Sequence, residues 1–65
     1  MKYLTFDPVP GGFRILFNGT DHGDTIVQEV DGDYYFLPKP YGGVYSDYLL
    51  REILEKLEEL NKEEQ

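Results

Sequence analysis

A small α+β domain is what this sequence predicts: a three- to four-stranded antiparallel β-meander with one C-terminal amphipathic helix packed on one face. Three observations lead there. Apolar and polar residues alternate through the first half of the chain, as half-buried strands require. Breaks rich in Gly, Pro, Asn and Asp at residues 7–12, 18–24 and 31–32 separate those runs. From Tyr45 onward the apolar spacing changes to three and four residues: Leu49, Leu50, Ile53, Leu54, Leu57 and Leu60 form one helical stripe.

Residues 2–6 make the first strand, with Lys2, Leu4 and Phe6 on one face and Tyr3 and Thr5 on the other. Asp7-Pro8-Val9-Pro10-Gly11-Gly12 ends it, because proline cannot donate to a ladder. Residues 13–18 are the clearest strand, placing Phe13, Ile15 and Phe17 together. Asn18-Gly19 opens a loop that runs through Thr20-Asp21-His22-Gly23-Asp24, and residues 25–30 follow as a β-branched strand. Asp31-Gly32 signals a hairpin, since both central positions of a type I′ turn need positive φ. Residues 33–38 return, closed by Pro38-Lys39-Pro40.

The register of that hairpin is open. A two-residue loop pairs Val30 with Asp33, whereas a three-residue loop pairs Val30 with Tyr34 and brings Phe36 to the side of Ile26. One residue of slip exchanges the faces. The helix spans residues 46–61, with Ser46 capping its first turn and Asp47 favourably placed in the helix dipole. Residues 62–65 read as a frayed tail. The expected core is Leu4, Phe6, Phe13, Ile15, Phe17, Ile26, Val30, Phe36, Leu49, Ile53, Leu57 and Leu60. The helix stripe must bury itself against this sheet or against a second copy of the helix.

Composition narrows the function classes. Sixty-five residues make a single domain, residues 1–65, whose small core leaves stability marginal without staples. The chain has no cysteine, hence no disulfide and no thiolate metal site, which fits a reducing, cytoplasmic setting. No apolar run approaches the roughly 20 residues that span a bilayer, and no signal-peptide pattern opens the chain, so no membrane partner is expected. Thirteen acidic residues against six basic give a net charge of −7. Direct binding to nucleic acid is therefore not expected, since phosphate affinity comes from clustered Lys and Arg.

His22 is the sole histidine, flanked by Asp21 and Asp24. Such a group could ligate a metal or act as a general base, yet no second cluster completes a coordination sphere and no serine or cysteine lies beside it. Asp31-Gly32-Asp33 lacks the Glu that an EF-hand loop requires. Gly11-Gly12 and Gly42-Gly43 lack the Lys-Ser/Thr of a P-loop. No catalytic residue, cofactor or metal is assigned, and an enzyme is not expected.

Tyrosines carry the functional colour. Tyr34, Tyr35, Tyr41, Tyr45 and Tyr48 fall within fifteen positions. Tyrosine suits interfaces because it buries a large rigid area while keeping a polar tip, although core completion accounts for such residues equally well. Tyr34 and Tyr35 are adjacent in a strand and so point to opposite faces. On the helix, Arg51 with Glu55 and Glu52 with Lys56 stand four apart, the spacing of supporting ion pairs. Glu52, Glu55 and Glu59 mark an acidic surface.

These features point to a small acidic, non-catalytic protein-binding module, an inhibitor or modulator of the kind carried by phages or mobile elements. One alternative is an acidic nucleic-acid mimic that blocks a DNA- or RNA-binding protein. Another is a structural homodimer formed through the helix. A metal or catalytic site at His22 is the weakest reading.

Overall fold

The computed structural model describes residues 2–40 and 44–62, and it is an α+β arrangement of four antiparallel strands and one C-terminal helix. The strands β1 (Leu4–Val9), β2 (Gly12–Phe17), β3 (Thr20–Gln28) and β4 (Tyr34–Leu37) form one open sheet in the order β1-β2-β3-β4, and α1 (Asp47–Lys62) follows. Lys62, assigned to the frayed tail, is the last residue of the helix. No described helix is long and apolar enough to cross a membrane.

Each turn follows from its residues. Val9 pairs with Gly12 across Pro10-Gly11, and Gly11 has φ 81°. Proline followed by a glycine at positive φ is type II chemistry. Phe17 pairs with Thr20 across Asn18 and Gly19, whose φ values are 49° and 82°. Two successive positive φ angles make this the type I′ hairpin. The dipeptide expected to open a long loop is thus itself a two-residue turn, and β3 begins directly after it.

Asp31-Gly32 behaves differently. Glu29 N donates to Asp33 O at 3.0 Å, Gly32 N donates to Glu29 O at 2.9 Å, and only Gly32 of the pair has positive φ, at 90°. This is a three-residue loop, a type I turn followed by a left-handed glycine. Glu29 and Asp33 close it, so neither expected pairing of Val30 occurs, and Val30 stands fully exposed at the tip. The parity matches the three-residue alternative: Ile26 pairs with Phe36.

Pro8 does not end β1. Counting from the Asn18 N–H that donates to Tyr3 O at 3.2 Å, odd-numbered residues of β1 turn their polar groups to β2 and even-numbered ones turn theirs to the open edge. Pro8 sits where its missing N–H breaks no ladder bond.

Ile15, Ile26 and Ile53 are the buried core among the described residues, with Leu4, Phe6, Phe13, Tyr34, Phe36, Leu57 and Leu60 packed around them. Burying one such isoleucine stabilises the fold by about 1.5–3 kcal/mol. The helix covers its own sheet with Leu49, Ile53, Leu57 and Leu60, while Leu50 and Leu54 of the predicted stripe remain half-exposed. Ser46 Oγ accepts from Leu49 N at 3.4 Å, a long version of the expected cap.

Two side chains of α1 tie down the two edges of the sheet. The buried Glu52 carboxylate accepts from Tyr3 N at 3.0 Å and Leu4 N at 3.0 Å, at the start of β1. Asn61 Oδ1 accepts from Tyr34 N at 2.7 Å and Asn61 Nδ2 donates to Tyr34 O at 3.2 Å, at the start of β4. The helix therefore lies across the sheet from β1 to β4 and satisfies backbone groups that a neighbouring strand would otherwise take.

Candidate binding surfaces

The segment Asp21-His22-Gly23-Asp24 is a bulge in β3. Arg14 pairs with Thr25 but Leu16 pairs with Asp21, so Ile15 of β2 faces three residues of β3. Gly23 takes the positive φ of 97° that the bulge needs, and its N–H donates to Asp21 Oδ1 at 2.8 Å. His22 is exposed, with its ring edge-on to Phe17 at 6.3 Å. Asp24 Oδ1 accepts from Lys39 N at 2.8 Å and from Tyr45 Oη at 2.6 Å, so this carboxylate anchors the connection to the helix. Both aspartates beside His22 are engaged in local structure. Among the described residues no three His, Cys, Asp or Glu stand together as a metal site.

A cleft of about 370 Å³ opens beside this bulge. Leu4, Ile15, Leu49 and Ile53 form its floor, and Phe17, His22, Asp24, Lys39, Val44 and Tyr45 form its walls. Partial burial, with the Asp24 carboxylate close by, pushes the Tyr45 hydroxyl up to about 12. Because the proton is held more tightly in the folded than in the unfolded state, this group contributes stability that is complete below its unfolded value near 10. That contribution is lost as pH rises through about 12. Tyr45→Phe is expected to flatten the loss of stability between those two values. Chemical unfolding of both proteins across that range checks it, and identical slopes would contradict it.

The tyrosines do not form one patch. Tyr34 is half-buried, tilted against Phe13 at 6.1 Å. Tyr45 is half-buried, edge-on to Phe36 at 5.8 Å. Both are packing residues. Tyr48 is 47% exposed at the start of α1 and leans on Tyr3 at 5.1 Å. Tyr35 is 46% exposed on the opposite side of the sheet, with its hydroxyl donating to Asp31 Oδ2 at 2.7 Å. That bond holds the Asp31 carboxyl below the usual carboxylate range and the Tyr35 hydroxyl above its own. Tyr41 lies outside the described residues.

The acidic surface changes as well. Glu52 is only 7% exposed and leaves it. Glu55 pairs with Lys2 at 2.7 Å, which lowers its carboxyl, and Arg51 acts on it only as a more distant charge. Lys56 bridges to Glu59 at 3.7 Å and lies 5.0 Å from the centre of the Phe13 ring, so it is not the partner of Glu52. The expected pairs four apart, Arg51 with Glu55 and Glu52 with Lys56, are replaced by contacts to the sheet and by one pair three apart.

Apart from Tyr35, sequence reading missed the outer face of the sheet. Residues opposite in parity to the core share it: Val9, Leu16, Val27, Tyr35 and Leu37, crossed by Arg14. Leu37 is 53% exposed. Arg14 bonds Asp7 at 2.9 Å and reaches Asp21 at 4.0 Å. The signal was present as the other half of each alternation, but Val9 was hidden by the expected stop at Pro8. Compared with protein-family models, curated proteins and solved structures, the chain matches none of them.

Proposed function

We propose that the protein is a small, acidic, non-catalytic module that binds another protein through the outer face of its sheet. One observation carries this reading: the helix covers one face, while the other leaves Tyr35 and Leu37 about half exposed, with Val27 beside Tyr35. Exposed apolar side chains beside a polar row, here Asp7, Arg14 and Thr25, suit a mixed apolar and charged protein-docking surface. The nucleic-acid mimic has less support, because Glu52 is turned inward and Glu55 and Glu59 are each paired with a lysine. The helix-mediated homodimer also has less support, since Leu49, Ile53, Leu57 and Leu60 of the stripe pack on the chain's own sheet and only Leu50 and Leu54 stay half-exposed.

Affinity capture with the tagged chain tests the proposal. The parent should retain a partner in near-stoichiometric amount, and a folded Tyr35→Ala/Leu37→Ser double variant should lose it. Affinity for that partner should fall less than about tenfold between about 50 and 200 mM salt, unlike binding that engages many charges. Equal retention by both proteins would overturn the reading. A steeper salt dependence, together with slower association after Glu55→Gln and Glu59→Gln, would favour mimicry instead.

A further inference from the structure

We infer that the outer face of the sheet takes a basic amphipathic helix from another protein. This rests on the binding-module reading and specifies the partner. The first argument is elimination by hydrogen bonding. A partner strand needs an open edge, and both edges are obstructed. On β1, Pro8 offers no N–H and Glu52 already holds that of Leu4, which faces the open edge. On β4, Asn61 holds both backbone groups of Tyr34, and Pro38 follows the strand directly. The partner must therefore use the face.

The second argument is charge. Glu29, Asp31 and Asp33 form the β3–β4 tip next to Tyr35 without an intervening base, and Asp7 and Asp21 flank the single Arg14. A second copy stacking face to face would bring two acid-flanked faces together, each on a chain of net charge −7. A partner with an apolar centre and Lys or Arg on its flanks meets no such repulsion.

The third argument is size. Four strands of four to nine residues, at about 4.8 Å spacing and about 3.3 Å rise per residue, make a face that one helix of about four turns covers. The opposite face is covered in that way by α1, which has 16 residues.

The test uses the full chain and three synthetic helical peptides of equal length: Leu on one side with Lys flanks, Leu with Glu flanks, and Ser in place of Leu with Lys flanks. Nuclear magnetic resonance titration should show the Leu/Lys peptide shifting Val9, Leu16, Val27, Tyr35 and Leu37. The other two peptides should bind at least tenfold more weakly. Equal binding of the Leu/Glu peptide at the same face would overturn the charge assignment while leaving the face as a docking surface. Equal binding of the Ser/Lys peptide, or shifts centred on Glu55, Glu58 and Glu59 of α1, would overturn the inference altogether. Leu37→Ser should abolish the Leu/Lys shifts, and their persistence at full strength would also count against it.

Discussion

Replacing Glu52 with alanine is expected to destabilise the domain by about 2–4 kcal/mol. The carboxylate is buried and accepts from Tyr3 N and Leu4 N, so the variant leaves two backbone donors unmatched at the start of β1. Hydrogen bonds to a charged group contribute about 1.5–3 kcal/mol each, and an orphaned buried donor costs about 1–3 kcal/mol. A chain of 65 residues has a total stability of roughly 3–10 kcal/mol, so this one change removes a large share of it. Glu52→Gln keeps one acceptor oxygen and should lose about half as much. Lys2→Met breaks only the exposed pair with Glu55 and should be nearly neutral. Urea unfolding followed by circular dichroism ranks the three. Equal midpoints for Glu52→Ala and Lys2→Met would refute the role of the buried carboxylate.

Gly12→Ala is expected to cost about 3 kcal/mol, for a different reason. A Cβ at Gly12 would stand 1.9 Å from the carbonyl oxygen of Ile26 and 3.0 Å from the Cα of Val27. The obstacle is backbone on the adjacent strand, so β2 and β3 must separate locally and the side chain of Ile26, 1% exposed, must move with them. Gly11→Ala is the control. Its Cβ would meet nothing within 4 Å, and only the φ of 81° opposes it, a cost of about 1 kcal/mol. If the two alanine variants unfold at the same denaturant concentration, close strand approach at Gly12 is not what the position requires.

Much of the architecture was legible because apolar periodicity reports burial directly. The switch from alternation to three- and four-residue spacing separated the sheet from the helix, and eleven of the twelve expected core residues lie on the facing surfaces. Val30 failed because the Asp31-Gly32 turn closes one residue earlier, on Glu29 and Asp33, a choice local residue types do not determine. Pro8 was misleading because a proline's effect depends on which way its nitrogen points, and that is fixed only once β1 is known to be an edge strand. The loop expected after Asn18-Gly19 became strand because a bulge absorbs His22, Gly23 and Asp24 without ending the pairing. Glu52 was the least legible of all. On a helical wheel it borders the apolar stripe, and only the position of the β1 start explains why a carboxylate is buried there.

The site was legible only in outline. Tyrosine enrichment pointed to residues 34–48, but packing claimed Tyr34 and Tyr45, and what stands open is Tyr35 with Leu37 on the sheet and Leu50 with Leu54 on the helix. Deciding between those two surfaces tests the account most directly. Calorimetric titration of the captured partner should compare the parent with Tyr35→Ala/Leu37→Ser on the sheet and with Leu50→Ser/Leu54→Ser on the helix. The account predicts at least tenfold weaker binding for the sheet variant, about 1.4 kcal/mol or more, and less than about twofold change for the helix variant. Full affinity in the sheet variant, with the loss falling on the helix variant, would contradict it.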